Sequence, residues 1–356
     1  MIQPYNAVGL VPTVWGIRNR SEIFKNIEHL ASMANAALWL ASLDTPVKLI
    51  ALPEGALQGF NDEVMDADHV TFARECAIDI PGPETDMIAE KIAKAHGVYV
   101  MAQAKARHPE IPDRFFNIGF IISPEGDIIL QHYKVAPLYP VEHSVCPHDI
   151  YDWWVERYGN TLESFWPVVD TPIGRMGIMM ANEGSYPENA RALAMNGAEI
   201  IYRASLPHPA ASNDYFEITN RARALDNNLY IMAPNMGTYY LTQDEETPMD
   251  TFGGHSMIVD YRGQIVGRQD YGGGSTSVCG PINIEAMRSH RQNSLWTNWM
   301  KDLRTELYQI VYKDPIYPKN LYLDREPMKH AEYEREVIKK QVKLMQDRDI
   351  WKKPSE

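Results

Sequence analysis

The stretch IGRMGIMMANEGSYPENARALAMNGAEIIYRAS, residues 173–205, decides the fold. The apolar run Met176–Met180 predicts a buried strand that ends at a polar turn. Pro187 then occupies a favourable position in the first turn of a helix. Gly197 ends that helix, and Ala198–Arg203 begins the next strand. This order of strand, turn, helix and strand predicts an α/β fold.

The turn that follows the first of these strands indicates where a functional site lies. A sharp strand-to-helix turn presents one side chain and the following backbone N–H groups to a pocket at the edge of the sheet. Such a turn suits a nucleophile and the groups that bind an oxyanion. The residue at that point is Ala181, whose methyl group is not a nucleophile, and Asn182 follows it. The sequence therefore predicts a catalytic turn without its nucleophile.

Composition excludes several classes of protein. The chain has 356 residues, of which 45% are hydrophobic and 23% charged, as in a globular protein with a substantial core. No apolar run reaches the roughly 20 residues that span a bilayer, and the first residues lack the pattern of a secretion signal. A net charge of −13 with scattered Lys and Arg argues against nucleic-acid binding. Three widely spaced cysteines favour a reducing, cytoplasmic location.

Three charged residues occupy positions that α/β proteins use for active sites. Glu54 follows the predicted buried strand Val47–Leu52, at an end marked by Pro and Gly. Lys134 follows a predicted β-hairpin over Phe116–His132. Glu142 comes eight residues after the lysine. Each of them alone would most often be a solvated surface residue, but their joint occurrence with the catalytic turn favours a shared site.

Together these motifs resemble the nitrilase superfamily of carbon–nitrogen hydrolases, in its aliphatic amidase and formamidase branch. LPEGALQGF places Glu54 at the position of the general base, and HYKVAPLYP places Lys134 at that of the catalytic lysine. Glu142 matches the second glutamate of that branch, and GGHSMIVDYRGQIVG, Gly253–Gly267, resembles a late strand-turn-strand signature. Ala181 stands where the superfamily has its cysteine.

The resemblance implies an α/β fold, a four-layer α-β-β-α sandwich, over residues 1–285, with a C-terminal arm at 286–356. The arm is rich in aromatic residues, so we expect it to form a homo-oligomer, a dimer or larger. No cofactor is expected. His143 and His148 with Asp149 lack a third ligand at a typical interval, so no metal site is expected there either.

The chemistry implied by the resemblance is hydrolysis of a small carboxylic amide through a Cys thioester. Glu54 would be the general base, while Lys134 and the backbone N–H of Asn182 would stabilise the oxyanion. Glu142 would position the amide or share the proton transfers. We also expect three further residues to contact the substrate: Phe60, Tyr139 and Ser205.

The missing nucleophile leaves several alternatives. Cys146 lies close to Glu142 in sequence, but it is more typical of a small buried hydrophobic residue. Either an active enzyme carries Ala181 in place of its cysteine, as in an engineered variant that holds intact substrate, or the chain is a natural pseudoenzyme that binds an amide. The first account is favoured, because a decayed site would also lose its charged residues. An N-carbamoyl hydrolase or a nitrilase is the alternative activity. Leu138, where aliphatic amidases have Trp, predicts a roomier acyl pocket.

Overall fold

A computed structural model describes residues 1–205, 214–251 and 254–355. Its strands are β1 (Tyr5–Val11), β2 (Val14–Trp15), β3 (Val47–Ala51), β4 (Tyr99–His108), β5 (Ile111–Ile122), β6 (Ile128–Tyr133), β7 (Val168–Thr171), β8 (Gly174–Ile178), β9 (Ile200–Tyr202), β10 (Tyr230–Ala233), β11 (Thr238–Tyr240), β12 (Asp250–Thr251), β13 (Ser256–Val259), β14 (Ile265–Gln269) and β15 (Thr276–Ile282).

The helices of the described residues are α1 (Ile23–Ala41), α2 (Asn61–Val64), α3 (His69–Glu75), α4 (Pro83–Ile88), α5 (Tyr151–Tyr158), α6 (Leu162–Phe165), α7 (Pro187–Met195), α8 (Tyr215–Asn227), α9 (Ile284–Asn293), α10 (Thr305–Val311), α11 (His330–Tyr333) and α12 (Lys339–Asp347). Within this part of the chain, no helix combines the length and apolarity that a membrane crossing requires.

Two six-stranded sheets form the centre of the molecule. Their strand orders are β15-β1-β3-β4-β5-β6 and β14-β13-β10-β9-β8-β7. In the first sheet β1, β3 and β4 are parallel, and in the second β8, β9 and β10 are parallel. Antiparallel strands flank both parallel groups. Because parallel strands end at the same edge, residues that follow β3 and β8 can reach a common site.

The alternation of side chains along these strands produces three layers of core. Leu49 of β3 and Ile178 of β8 lie in the cluster between the two sheets. Ile50 packs on the other face of its sheet, in the cluster that contains α1 residues such as Ile27. Ile201 of β9 packs outward, against the helices α7 and α8. These clusters confirm the predicted α-β-β-α sandwich.

Most predicted elements lie close to their observed bounds. The helix predicted to begin at Pro187 is observed as α7, and the predicted strand Val47–Leu52 is β3. The late signature includes β13 and β14, although Gly253 lies outside the described residues. Strand β15 was not predicted, because its run of Thr, Ser, Cys, Gly and Pro lacks a clear apolar pattern.

The C-terminal segment contacts its own domain over part of its length. Helix α9 crosses the predicted boundary after residue 285, and its Ile284 and Met287 are buried in the cluster between the sheets. Further along, Tyr322 and Tyr333 are buried against the helices of the first sheet. Exposed apolar residues remain between these anchors, among them Leu295, Trp296, Leu307, Ile310 and Val311. The oligomeric role of this segment stays a prediction.

Candidate active site

The turn after β8, residues Ala181–Ser185, has the geometry expected of a catalytic turn. Ala181 adopts a positive φ of 36°, a conformation that residues other than Gly, Asn and Asp seldom adopt. Its N–H donates to the carbonyl oxygen of Ala204 at 2.6 Å. That bond ties the turn to the end of β9, so the position of residue 181 is fixed by its neighbours.

Arg203 holds the carbonyl group of the same residue. Its Nε and Nη2 lie 3.2 and 3.1 Å from the Ala181 oxygen, and its Nη1 donates to Thr219 and Asn220, both at 2.7 Å. Burial lowers the pKa of Arg203 to about 10, so the side chain still carries its charge at neutral pH. A Cβ on Gly184 would lie 2.1 Å from Arg203 Nε. Glycine at 184 therefore permits this close approach.

Glu183 joins the catalytic turn to the strand that ends at Lys134. Its carboxylate, which is fully buried, accepts the N–H of Met180 at 2.6 Å and the N–H of Val135 at 2.7 Å. It also contacts His132 Nε2 at 3.0 Å. Since Met180 and Val135 are direct neighbours of Ala181 and Lys134, this carboxylate fixes the two halves of the site relative to each other.

The three predicted charged residues are brought together. Lys134 Nζ lies 2.9 Å from Glu54 Oε1 and 2.6 Å from Glu142 Oε2, and all three side chains are buried. Asn117 Nδ2 donates to both carboxylates, at 2.9 and 3.0 Å, and Gln103 Nε2 donates to Asn117 Oδ1 at 2.7 Å. The buried charges thus have the partners that burial requires.

Burial and charge move the pKa values of the two glutamates in opposite directions. Burial raises the pKa of Glu54 against the opposing effect of Lys134, and the charge of Glu142 adds to this increase. Burial would also raise the pKa of Glu142. The charge of Lys134 and the hydrogen bonds from Lys134 and the N–H of Leu138 outweigh burial, so the pKa of Glu142 is lowered. Burial disfavours the charge of Lys134, yet both carboxylates raise its pKa. Glu142 therefore stays ionised while Glu54 takes up a proton more readily, which suits general acid–base work.

A cavity of about 280 Å³ opens beside these groups. Its lining residues are Glu54, Phe60, Glu63, Lys134, Leu138, Glu142, Ala181, Asn182, Ser185, Ser205 and Tyr215. The cavity is therefore lined both by the charged cluster and by the catalytic turn. Asn182 is held there by its side-chain amide, which donates to the carbonyl oxygens of Ala136 and Pro137 at 3.3 and 3.4 Å.

Tyr139, which the sequence predicted to contact the substrate, and Cys146, which it favoured as a small buried residue, both lie outside the described lining of the cavity. Tyr139 is not among the described residues that line the cavity, because its hydroxyl donates to Ser144 O and contacts Asp149 Oδ2, both at 2.7 Å. Cys146 is likewise outside the described lining, and burial raises the pKa of its thiol well above the usual value. Its N–H donates to the same Asp149 at 3.0 Å. Cys146 is a buried residue of the tyrosine-rich packing around Asp149, and its thiol is not placed beside Lys134.

Glu63 is a cavity residue that the sequence analysis missed. Its carboxylate lies 2.9 Å from Lys105 Nζ, which also contacts Asp62. Burial raises the pKa of Glu63 to about 8, and the nearby acids add to the increase against the attraction of Lys105. Because Glu63 lies within a short polar helix, α2, its sequence pattern is that of a solvated surface residue. The acidic NDEV sequence gave no signal of a buried acid.

The fold and this site define a class: an α-β-β-α sandwich whose Lys and two Glu side chains line a cavity at a strand-to-helix turn. A family model described as carbon-nitrogen hydrolase matches residues 13–292. The chain therefore belongs to the carbon–nitrogen hydrolase family.

Curated relatives include formamidases. The formamidase of Bacillus cereus strain B4264 is 28% identical over 226 residues, which cover 63% of this chain and 59% of the relative. That of Bacillus thuringiensis strain Al Hakam is 30% identical over 196 residues, which cover 54% of this chain and 51% of the relative. The matched region thus spans between half and three fifths of these relatives.

Solved structures share the fold. The carbon-nitrogen hydrolase from Helicobacter pylori G27 has a TM-score of 0.65 at 19% identity, covering 88% of this chain and 99% of the other. A Cys-to-Ala mutant of the amidase from Nesterenkonia sp. AN1 in complex with butyramide has a TM-score of 0.62 at 15% identity, covering 86% and 96%. At these identities the likeness concerns the fold.

Proposed function

We propose that the cavity binds a small carboxylic amide and that the site hydrolyses it when a thiol stands at position 181. The observation that carries this proposal is the Lys134 ammonium held between two glutamates, in the wall of the same cavity as Ala181. The cavity volume of about 280 Å³ is just below the usual range of ligand pockets, about 300–1,000 Å³. That size favours a small amide.

The proposed reaction assigns one role to each group. With Cys at 181, Glu54 takes the thiol proton and the sulfur attacks the amide carbon. Lys134 and the N–H of Asn182 stabilise the oxyanion. Glu54 passes its proton to the leaving nitrogen as the C–N bond breaks and a thioester remains. It then takes a proton from water, whose oxygen attacks the thioester carbon, and returns that proton to the sulfur as the C–S bond breaks, so that the acid and the thiol are released. Glu142 holds Lys134 charged throughout.

The protein with Ala181 is proposed to bind the amide without turning it over, because Ala181 cannot form the thioester. Replacement of Cys by Ala in an active enzyme remains the favoured account over a natural pseudoenzyme. This account is supported by the contacts of Lys134 with Glu54 and Glu142. Burying three charges is unfavourable, and a cluster with a purely structural role would not require it. The Nesterenkonia Cys-to-Ala amidase, in complex with butyramide, is a precedent for such a substitution in a protein of similar fold.

The acyl side of the pocket bears on the choice of substrate. Leu138 lines the cavity and is 51% exposed, so this wall opens toward solvent. We therefore propose that the cavity holds the amide group and short acyl chains, and that a larger or aromatic acyl group is accepted because it extends past Leu138 toward solvent. N-carbamoyl amino acids and nitriles are the alternative substrates within the same superfamily.

The test compares the protein with Ala181 with its Ala181→Cys variant and with Ala181→Ser as the matched control. Each protein is assayed for ammonia release from formamide, butyramide, benzamide, a carbamoyl amino acid and a nitrile, and for butyramide binding by calorimetry. We expect turnover only with Cys, a thioester detectable by mass spectrometry, and binding by the Ala form. Folded proteins that neither bind nor hydrolyse any of these compounds would refute the proposal.

Binding without turnover in the Cys form would instead identify an amide-binding protein. In that outcome the hydrolytic half of the proposal fails and the binding half stands. Turnover by the Ala form at the rate of the Cys form would refute the role of a thiol at 181.

A further inference from the structure

Three potential metal ligands meet at a point outside the amide cavity. They are Asp66, in the loop that follows α2, His143, which directly follows Glu142, and His330, the first residue of α11. Their ligand atoms all lie within 4.8 Å of one another. Asp66 Oδ1 is 3.0 Å from His143 Nε2 and 3.7 Å from His330 Nε2.

The Nε2 atom of His143 lacks a hydrogen-bond partner among the described residues. The side chain is only 3% exposed, and this nitrogen is fully buried. Although it is close to Asp66 Oδ1, the contact does not have the geometry of a hydrogen bond. A buried polar atom without a partner is unfavourable, so such atoms in folded proteins require an explanation.

A metal ion supplies that explanation. We propose that Asp66, His143 and His330 bind one divalent transition-metal ion with the preferences of zinc. Two imidazoles and a carboxylate are a ligand set that Zn²⁺ takes, with a fourth position left for water. Ligands bonded to one tetrahedral Zn²⁺ at about 2.0–2.2 Å lie about 3.4 Å from each other. The distances of 3.0 and 3.7 Å from Asp66 Oδ1 fall on either side of that value.

The surrounding contacts position the ligands and leave the cluster accessible to an ion from solvent. The backbone N–H of His330 donates to Asp66 Oδ1 at 3.3 Å, and Lys329 Nζ donates to the backbone carbonyl oxygen of Asp66. His330 Nε2 has a long contact of 3.3 Å to Val141 O, which metal binding would replace. The side chains of Asp66 and His330 are 37% and 32% exposed, so an ion can reach them from solvent.

The ion would join the C-terminal segment to the catalytic domain. Tyr333, three residues after His330, is buried against that domain. Its hydroxyl forms a hydrogen bond of 2.7 Å with the hydroxyl of Tyr317. On the other side, His143 follows Glu142 of the charged cluster. A metal at this point therefore stabilises the docking of residues 330–333 beside the loop that carries Glu142, and it takes no part in amide chemistry.

The proposal is tested by zinc binding to the full chain. The protein is treated with EDTA, dialysed, and titrated with ZnCl₂ by calorimetry, with the melting temperature recorded at each end point. MgCl₂ is the control ion, because Mg²⁺ prefers oxygen ligands. His330→Ala and Asp66→Asn remove ligands at partly exposed positions, and His96→Ala removes a similarly half-buried histidine outside the cluster.

We expect the parent and His96→Ala to bind one equivalent of zinc, with a rise in melting temperature, and not to bind magnesium. His330→Ala and Asp66→Asn should lose at least tenfold in zinc affinity and should lose the rise in melting temperature, while their circular dichroism stays that of the parent. Absence of saturable zinc binding in the parent would overturn the proposal. So would binding of one equivalent by both ligand variants with the parent's affinity, because the zinc would then occupy another site.

Discussion

Replacing Glu183 by Gln should destabilise the protein and disorganise the site, although Glu183 does not line the amide cavity. Its two oxygens accept two backbone N–H groups, from Met180 and Val135, and contact His132 as well. Glutamine keeps one oxygen, so its NH₂ group must face a backbone donor. One buried N–H then loses its acceptor, which costs about 1–3 kcal/mol, and the remaining bonds lose the strengthening of a full charge.

The expected loss in the free energy of unfolding is therefore about 2–4 kcal/mol, measured by urea denaturation. Glu90→Gln is the matched control, since Glu90 forms only an exposed pair with Lys94, of the kind worth at most about 1 kcal/mol. In the Ala181→Cys background, Glu183→Gln should also lower kcat more than the control does. A Glu183→Gln protein within about 0.5 kcal/mol of its parent, with unchanged kcat, would refute the argument that this carboxylate joins the two halves of the site.

Three further predictions concern neighbouring groups. Lys134→Met leaves two carboxylates buried without their cation, so we expect a loss of about 3–5 kcal/mol by urea denaturation and, in the Ala181→Cys background, at least a hundredfold loss of turnover; a variant of parental activity would contradict the assigned role. Gly184→Ala brings a methyl group onto Arg203 and should destabilise the fold by about 1–3 kcal/mol, whereas an unchanged denaturation midpoint would show that Arg203 moves freely. Because the pKa of Glu63 rises from 4.5 to about 8 on folding, the folded state binds more protons than the unfolded state in that interval, and stability should fall as pH rises through it. Glu63→Gln should flatten this dependence in denaturation measured from pH 5 to 8, and an equally steep fall in the variant would exclude Glu63 as its source.

The sequence predicted the parts of the site that depend on local pattern. Glu54 and Lys134 each follow a strand with a clear apolar run, so the edge of the sheet on which they meet could be inferred. Glu63 could not be found in this way, since its burial depends on Lys105, which comes from the distant strand β4. Tyr139 is predicted to contact the substrate, but the direction of its side chain is set by hydrogen bonds to Asp149 and Ser144 that the sequence does not reveal.

The metal ligands illustrate the same limit. The sequence offered His143, His148 and Asp149 as a local group and gave no reason to expect a site there. In the structure Asp149 accepts from Cys146 and contacts Tyr139, while the His148 ring packs near Tyr151 and Tyr317. His143 instead meets Asp66 and His330, which approach it only through tertiary packing. Spacing along the chain carries no information about such a group.

The backbone at Ala181 bears on how the site responds to a restored thiol. A positive φ at a residue with a Cβ costs of order 1 kcal/mol or more, and the alanine gains no contact that requires it. The conformation is imposed by neighbouring groups: the Ala204 carbonyl accepts the N–H of Ala181, Arg203 donates to its carbonyl, and Glu183 accepts the N–H of Met180. None of these contacts involves the side chain of residue 181. A cysteine there would therefore have its Cβ in the position that the methyl group has now, facing the cavity with Glu54 and Lys134, so the Ala181→Cys protein requires no rearrangement of the turn.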